Sequence, residues 1–146
     1  MTRNDFLELW RGSWDGEAWF APWKKGLEKV TAAQAAWKPA PERHSIWQNV
    51  NHVIFWRNYT LAAIRGAAKP SNEEAERLNF AEPSDKSEAA WKKSLADLEK
   101  SHRDIEKLIA DPGQSLDRIK HHLAHDAYHM GQIQQLLAMQ GMAPVM

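Results

Sequence analysis

Apolar residues recur at three- and four-residue intervals along most of the chain, and no stretch shows the two-residue alternation of a half-buried strand. Phe6, Leu7 and Trp10 share one side of a first helix over residues 2–11, which Gly12 and Gly16 should interrupt. Pro22 suits the first turn of a second helix, carrying Trp23, Leu27 and Val30 and fading near Thr31. A short helical turn from Ala32 to Trp37 ends at Pro39 and Pro41. The clearest start is Ser45-Ile46-Trp47-Gln48, a capping box with Ser45 as N-cap and Gln48 reaching back. Ile46, Val50, Val53, Ile54, Leu61 and Ile64 then keep helical spacing, and Gly66 supplies the stop.

Lys69 to Lys86 is polar, holds Pro70 and Pro83, and reads as a long linker with Leu78 and Phe80 as plugs into the core. Ser84 or Ser87 caps the next long helix, whose stripe is Trp91, Leu95, Leu98, His102, Ile105 and Ile109; Asp111-Pro112-Gly113 stops it. The last helix is predicted from Leu116 to about Gln140, or ~37 Å at 1.5 Å per residue. Its stripe is Leu116, Ile119, Leu123, Ala127, Met130, Ile133 and Leu137. The expected fold is all-α: a four-helix bundle with a short extra N-terminal helix, forming one domain over residues 1–146.

Composition narrows the function classes. A formal net charge of zero does not advertise a nucleic-acid partner, which usually needs a basic face, so none is expected, although a local basic patch is compatible with zero net charge. No apolar run approaches the length of a bilayer span and the first ten residues lack a signal-peptide core, so no membrane association and a cytoplasmic location are expected. The absence of cysteine removes disulfides, thiolate ligands and a cysteine nucleophile. Eight tryptophans read first as large core fillers, and second as pocket or interface residues.

The candidate chemistry lies in histidine. His121, His122, His125 and His129 fall within nine residues, and on a helix His125 and His129 stack one turn apart. Such a pair can hold a metal ion, but edge histidines bonded to water or backbone carbonyls explain the same spacing. His125-Asp126-Ala127-Tyr128-His129 also echoes the His-Glu-x-x-His metalloprotease motif. That reading fails because no Asp, Glu or His follows His129 to complete the site. A third ligand must come from upstream, and His52 is the best candidate, on the same helix side as Gln48, Asn49, Phe55, Trp56 and Tyr59. His102 faces inward as core or a fourth ligand, His44 is expected at the surface, and His121 and His122 are solvated or support the ligands from outside.

His125-Asp126-Ala127-Tyr128-His129-Met130-Gly131-Gln132-Ile133 fits an H-x-x-Y-H-x-G-Q-I pattern, and Ser45 to His52 fits a capped helix with a terminal histidine. In these two segments, and in Pro39, Trp56 and Trp91, the chain resembles the DinB/YfiT-like superfamily of metal-binding four-helix-bundle proteins. The resemblance implies one divalent ion bound by His52, His125 and His129. It implies a homodimer, and relatives that include thiol-dependent S-transferases, an isomerase using a low-molecular-weight thiol, and presumed hydrolases. The function this suggests is a metal-dependent enzyme on a small-molecule substrate, with the ion activating a thiol co-substrate. A hydrolase with metal-activated water, helped by Asp126 or Tyr128 as weaker catalytic candidates, is the alternative, as is a non-catalytic metal-binding or stress-response module. Three imidazoles do not name their ion: Zn²⁺, Ni²⁺, Mn²⁺ and Fe²⁺ all suit them. Gly131 is expected to let a neighbouring helix pack closely.

Overall fold

The computed structural model describes residues 1–145, so only Met146 of the expected domain lies outside it. The described residues are all-helical: α1 (Arg3–Asp15), α2 (Trp23–Leu27), α3 (Ala32–Ala36), α4 (Ile46–Ile64), α5 (Asn72–Asn79), α6 (Glu88–Ala110) and α7 (His121–Met139). The long helix α4 packs against both α6 and α7, and α1 packs against α6 and α2, with its Phe6 and Trp10 sharing a core cluster with Leu61 of α4. The short α2 and α3 fill the approach to α7 and α4.

Local chemistry explains most of the boundaries. The Ser45 hydroxyl accepts from the Gln48 backbone N–H at 3.1 Å, and the Gln48 side chain takes the Ser45 N–H at 3.0 Å, closing the expected box. Two further boxes, Thr2 with Asp5 and Thr31 with Gln34, start α1 and α3. Ser87, not Ser84, caps α6. Gly66, just past the C-cap Arg65 of α4, has φ 71°, a left-handed conformation that glycine adopts without steric cost.

Three boundaries differ from the pattern. Helix α1 runs through Gly12 to Asp15, because its stop is a fold-back: a Cβ on Gly12 would lie 2.3 Å from the Glu17 carbonyl oxygen. The linker contains α5, capped by Ser71 with Glu73 and Glu74 in its first turn and Arg77 in its last. None of its residues is buried, so no apolar stripe announced it. Helix α7 begins at His121 rather than Leu116 and is about 28 Å long. Residues 116–120 instead make tight turns, with Ile119 N–H on Leu116 O and His122 N–H on Ile119 O, which still bury Ile119 fully. Helix α2 likewise stops at Leu27, although Val30 is buried as the longer pattern required.

The tryptophans are chiefly core fillers, and the four most deeply buried, together with half-buried Trp56, each have a partner for the N–H. Trp10 donates to His102 O, Trp23 to Asp126 Oδ2, Trp47 to Ser94 Oγ, Trp91 to Val30 O and Trp56 to Asn79 Oδ1. Trp19, fully exposed, and Trp37, exposed in part, are the exceptions. Between the apolar clusters sits a buried ion pair. Arg57 of α4 donates to Asp126 of α7, and both side chains are 0% exposed. The guanidinium also reaches Leu98 O and Ser101 Oγ of α6 and lies near the Trp10 and Trp23 rings. Burial pushes the Asp126 carboxyl above its usual range, and the Arg57 charge opposes that push.

His102 lies beside this pair, stacked flat on Trp10 at 4.5 Å, with neither ring nitrogen hydrogen-bonded. It is core, as expected. Burial first, and then the Arg57 charge, push its pKa down to about 2. The folded protein therefore holds His102 neutral, while the unfolded chain protonates it below about pH 6.5. The stability it supports is complete above that pH and is lost as pH falls towards 2, by up to about 1.4 kcal/mol per pH unit. Urea unfolding at pH 7 and pH 5 should show His102→Phe losing less stability on acidification than the wild type. Asp126→Ala, which strands the buried guanidinium, should lower stability at pH 7 by about 3–5 kcal/mol in the same assay.

Candidate metal centre

The crossing of α4 and α7 brings three imidazoles together. His52 comes from α4, one turn beyond Gln48; His125 and His129 come from successive turns of α7. One nitrogen from each ring lies within 4.8 Å of the others. His52 Nε2 and His125 Nε2 are 2.9 Å apart. The His129 ring centre is 4.4 Å from that of His52 and 4.5 Å from that of His125. His52 and His129 are buried, and His125 is half-buried.

Hydrogen bonds fix two of the three rings. Asn79 Oδ1 meets both Trp56 Nε1 at 3.0 Å and His52 Nδ1 at 2.6 Å. An indole nitrogen only donates, so the asparagine atom is an acceptor and His52 Nδ1 must carry a hydrogen. His52 Nε2 therefore presents a lone pair to the centre of the group. Asn49 works in the same way. Its amide nitrogen donates to Ser45 O at 2.9 Å, which leaves its oxygen facing His129 Nδ1 at 2.9 Å. His129 Nδ1 then donates, and its Nε2 is free to coordinate.

Desolvation keeps these rings uncharged. Burial pushes His52 down to about 4 and His129 to about 3, and the neighbouring histidines add to the shift in both. His125 is also lowered, by burial and then by Arg57. Neutral imidazoles with inward lone pairs repel one another unless a proton or a cation lies between them. Nitrogens bound to one tetrahedral zinc ion lie about 3.3 Å apart, so the spacing needs only small adjustment. The buried Nδ1 of His125 has no partner among the described residues. The donor set fits a divalent ion that accepts nitrogen ligands.

The other singled-out residues lie elsewhere. Asp126 turns away from the imidazoles to Arg57 and Trp23, so the catalytic role weighed for it does not fit its position. Tyr128 is largely exposed, with its ring edge-on to His129 at 5.1 Å. His121 is exposed, whereas His122 is buried against Thr60 Oγ1 at 2.9 Å rather than solvated. His44 is at the surface but stacks on Phe80 at 3.9 Å, and Phe80 stacks on His52 at 3.9 Å. Gly131 does not admit a neighbouring helix: a Cβ there would meet nothing within 4 Å. It instead lines a cleft of about 580 Å³ with Arg43, Asn49, Tyr128, Gln132 and Gln135. None of the three histidines lines this cleft or a larger hollow of about 630 Å³ near Trp19 and Val145, but the cleft is bounded by Asn49, which holds His129, and by Tyr128 beside it.

Asn79 had no signature in the sequence, because it lies in the polar linker. Asn49 stood one turn before His52 and was visible as its neighbour, but its bond to His129 spans 80 positions. Replacing Asn49 with alanine should leave the three imidazoles in place but free the His129 ring. Zinc affinity, measured by competition with a chromophoric chelator, should fall about 10- to 100-fold.

No curated protein and no solved structure matches the chain. A family model does match, over residues 23–133, a span that contains all three histidines, the Asn79 and Asn49 supports and the Arg57–Asp126 pair. By that match, which covers well over half of its length, the chain belongs to the DinB superfamily.

Proposed function

We propose that the protein is a metal-dependent enzyme that activates a small thiol for transfer to an electrophilic substrate. The observation that carries this reading is the trio of neutral imidazoles, with the nitrogen lone pairs of His52 and His129 held inward by Asn79 and Asn49. A divalent ion bound there supplies a Lewis acid that lowers the pKa of a coordinated thiol.

The surroundings favour a thiol over water. Attack by water gains from a nearby general base, yet the histidine group includes no carboxylate among the described residues, Asp126 is committed to Arg57, and the one carboxylate lining the adjoining cleft, Glu42, is exposed to solvent. A thiol is acidic enough to ionise on metal binding without that help. The chain has no cysteine of its own, so the sulfur would arrive as substrate. Phe80 covers one face of His52 and limits water there. The cleft beside Asn49 is large enough for a small molecule and offers the Tyr128 hydroxyl, the Gln132 and Gln135 amides and the Arg43 guanidinium.

Untagged wild-type protein should bind one equivalent of a divalent metal, measured by elemental analysis. His52→Ala and His129→Ala should bind much less than one equivalent. Consumption of an epoxide or aryl halide with a panel of thiols should require the metal, and both variants should lose more than about 100-fold of it. Gly131→Leu, which projects a side chain into the cleft, should retain the metal and lose most of the turnover. A wild type that takes up no metal would rule out the proposal, and a loaded protein inert to every thiol would rule out its thiol half.

A further inference from the structure

The segment between α4 and α6 touches the histidine group more closely than a connector needs to. Helix α5 has no buried residue and packs mainly on α4, so its own contacts hold it weakly. Its last residue and the two that follow are, by contrast, clamped. Asn79 Oδ1 takes both the His52 Nδ1 and Trp56 Nε1 hydrogens. Phe80 O accepts from Gln48 Nε2 at 3.1 Å, and Ala81 O from Asn51 Nδ2 at 2.8 Å. The Phe80 ring lies between His44 and His52, stacked on each within 15° of parallel. Every one of these anchors is a side chain of α4 or of the turn before it, and His52 meets both the Asn79 side chain and the Phe80 ring.

We infer that residues 79–81 make the linker a working part of the metal centre, with Asn79 as a positioning residue and metal occupancy coupled to the docking of α5. This inference rests on the metal reading of the three histidines. Coordination through His52 Nε2 requires the tautomer with hydrogen on Nδ1. That hydrogen is buried and has one acceptor, Asn79 Oδ1. An ion on Nε2 therefore strengthens the bond that holds the linker, because it makes Nδ1–H a stronger donor. By linkage, a docked linker raises metal affinity by the same factor. With the ion removed, His52 Nδ1–H is a weaker donor, the Asn79 bond loosens, and the carbonyl clamps and the Phe80 stack carry most of the hold on the segment. The linker thus senses whether the site is loaded, and its release would expose His52 to exchange of ion or substrate.

The test uses the full chain, stripped with a chelator and then titrated with Zn²⁺. Amide hydrogen exchange over residues 72–82 and protease cleavage in the same segment are followed in parallel with Zn²⁺ affinity. Zn²⁺ should slow exchange in the wild-type linker at least tenfold. Asn79→Ala should bind Zn²⁺ 10- to 100-fold more weakly and, when saturated, should lose that slowing. Asn79→Asp keeps an acceptor oxygen and should restore both properties. Glu76→Ala, on the exposed part of α5, should change neither, which separates loss of coupling from general loosening of the helix. Equal Zn²⁺ affinity in wild type and Asn79→Ala, or a wild-type linker whose exchange ignores saturating Zn²⁺, overturns this inference alone. No uptake of Zn²⁺, Ni²⁺, Mn²⁺ or Fe²⁺ by the wild type overturns the metal reading, and this inference with it.

Discussion

The contact between α4 and α7 depends on one buried ion pair. Arg57 and Asp126 lie fully out of water, flanked by the Trp10 and Trp23 rings, with Ser101 Oγ and Leu98 O also accepting from the guanidinium, while Arg57 Nε and Asp126 Oδ1 have no hydrogen-bond partner among the described residues. An unpaired charge at that depth would be strongly destabilising, so a sliding or rotated packing of the two helices is excluded. Asp126 follows His125 directly, and Arg57 lies five residues after His52. On a helix those steps turn the charged side chains inward and leave the histidines closer to the surface. The pair therefore sets the register in which His52 meets His125 and His129.

The three-histidine group carries no charge of its own. Its imidazoles are neutral because burial disfavours the protonated ring and because each faces the others. What organises them is a second set of uncharged groups, the side-chain amides of Asn49 and Asn79, whose own orientations are fixed by Ser45 O and Trp56 Nε1. The Ser45 that caps α4 is thus also the residue whose carbonyl aims Asn49 at His129. Helix initiation and ligand orientation share one turn of chain, which places the N-terminal end of α4 at the heart of both fold and site.

The elements legible in the sequence were those set by neighbours a few residues away. The Ser45 box, the α6 stripe from Trp91 to Ile109 and the left-handed Gly66 all came from local spacing and were found in place. Of the site, His125 and His129 were visible as a one-turn pair on a helix. His52 entered as the best upstream partner, and resemblance to the family made the set of three specific. Less legible were the elements whose reasons lie far along the chain. Helix α5 has a serine cap and a favourable charge order, but no buried face to set a period. The start of α7 gave way to turns that drive Ile119 into the core. Arg57 sat unremarked within an apolar helix, although a lone charge among Val53, Ile54 and Leu61 was itself a sign that a buried partner existed.

The sequence by itself determined the all-helical class, the caps and stripes of its long helices, and the pairing of His125 with His129, since each follows from interactions within about one turn of chain. Only the tertiary structure decided which upstream histidine met that pair, which ring nitrogens faced inward, and that Asp126 pairs with Arg57. It also showed that Gly131 faces a cleft rather than a neighbouring helix, and that the polar linker sends Asn79 and Phe80 back onto His52. Those outcomes depend on contacts between residues 27 to 80 positions apart. Such contacts leave no local period, because the groups that fix them become neighbours only when the helices pack.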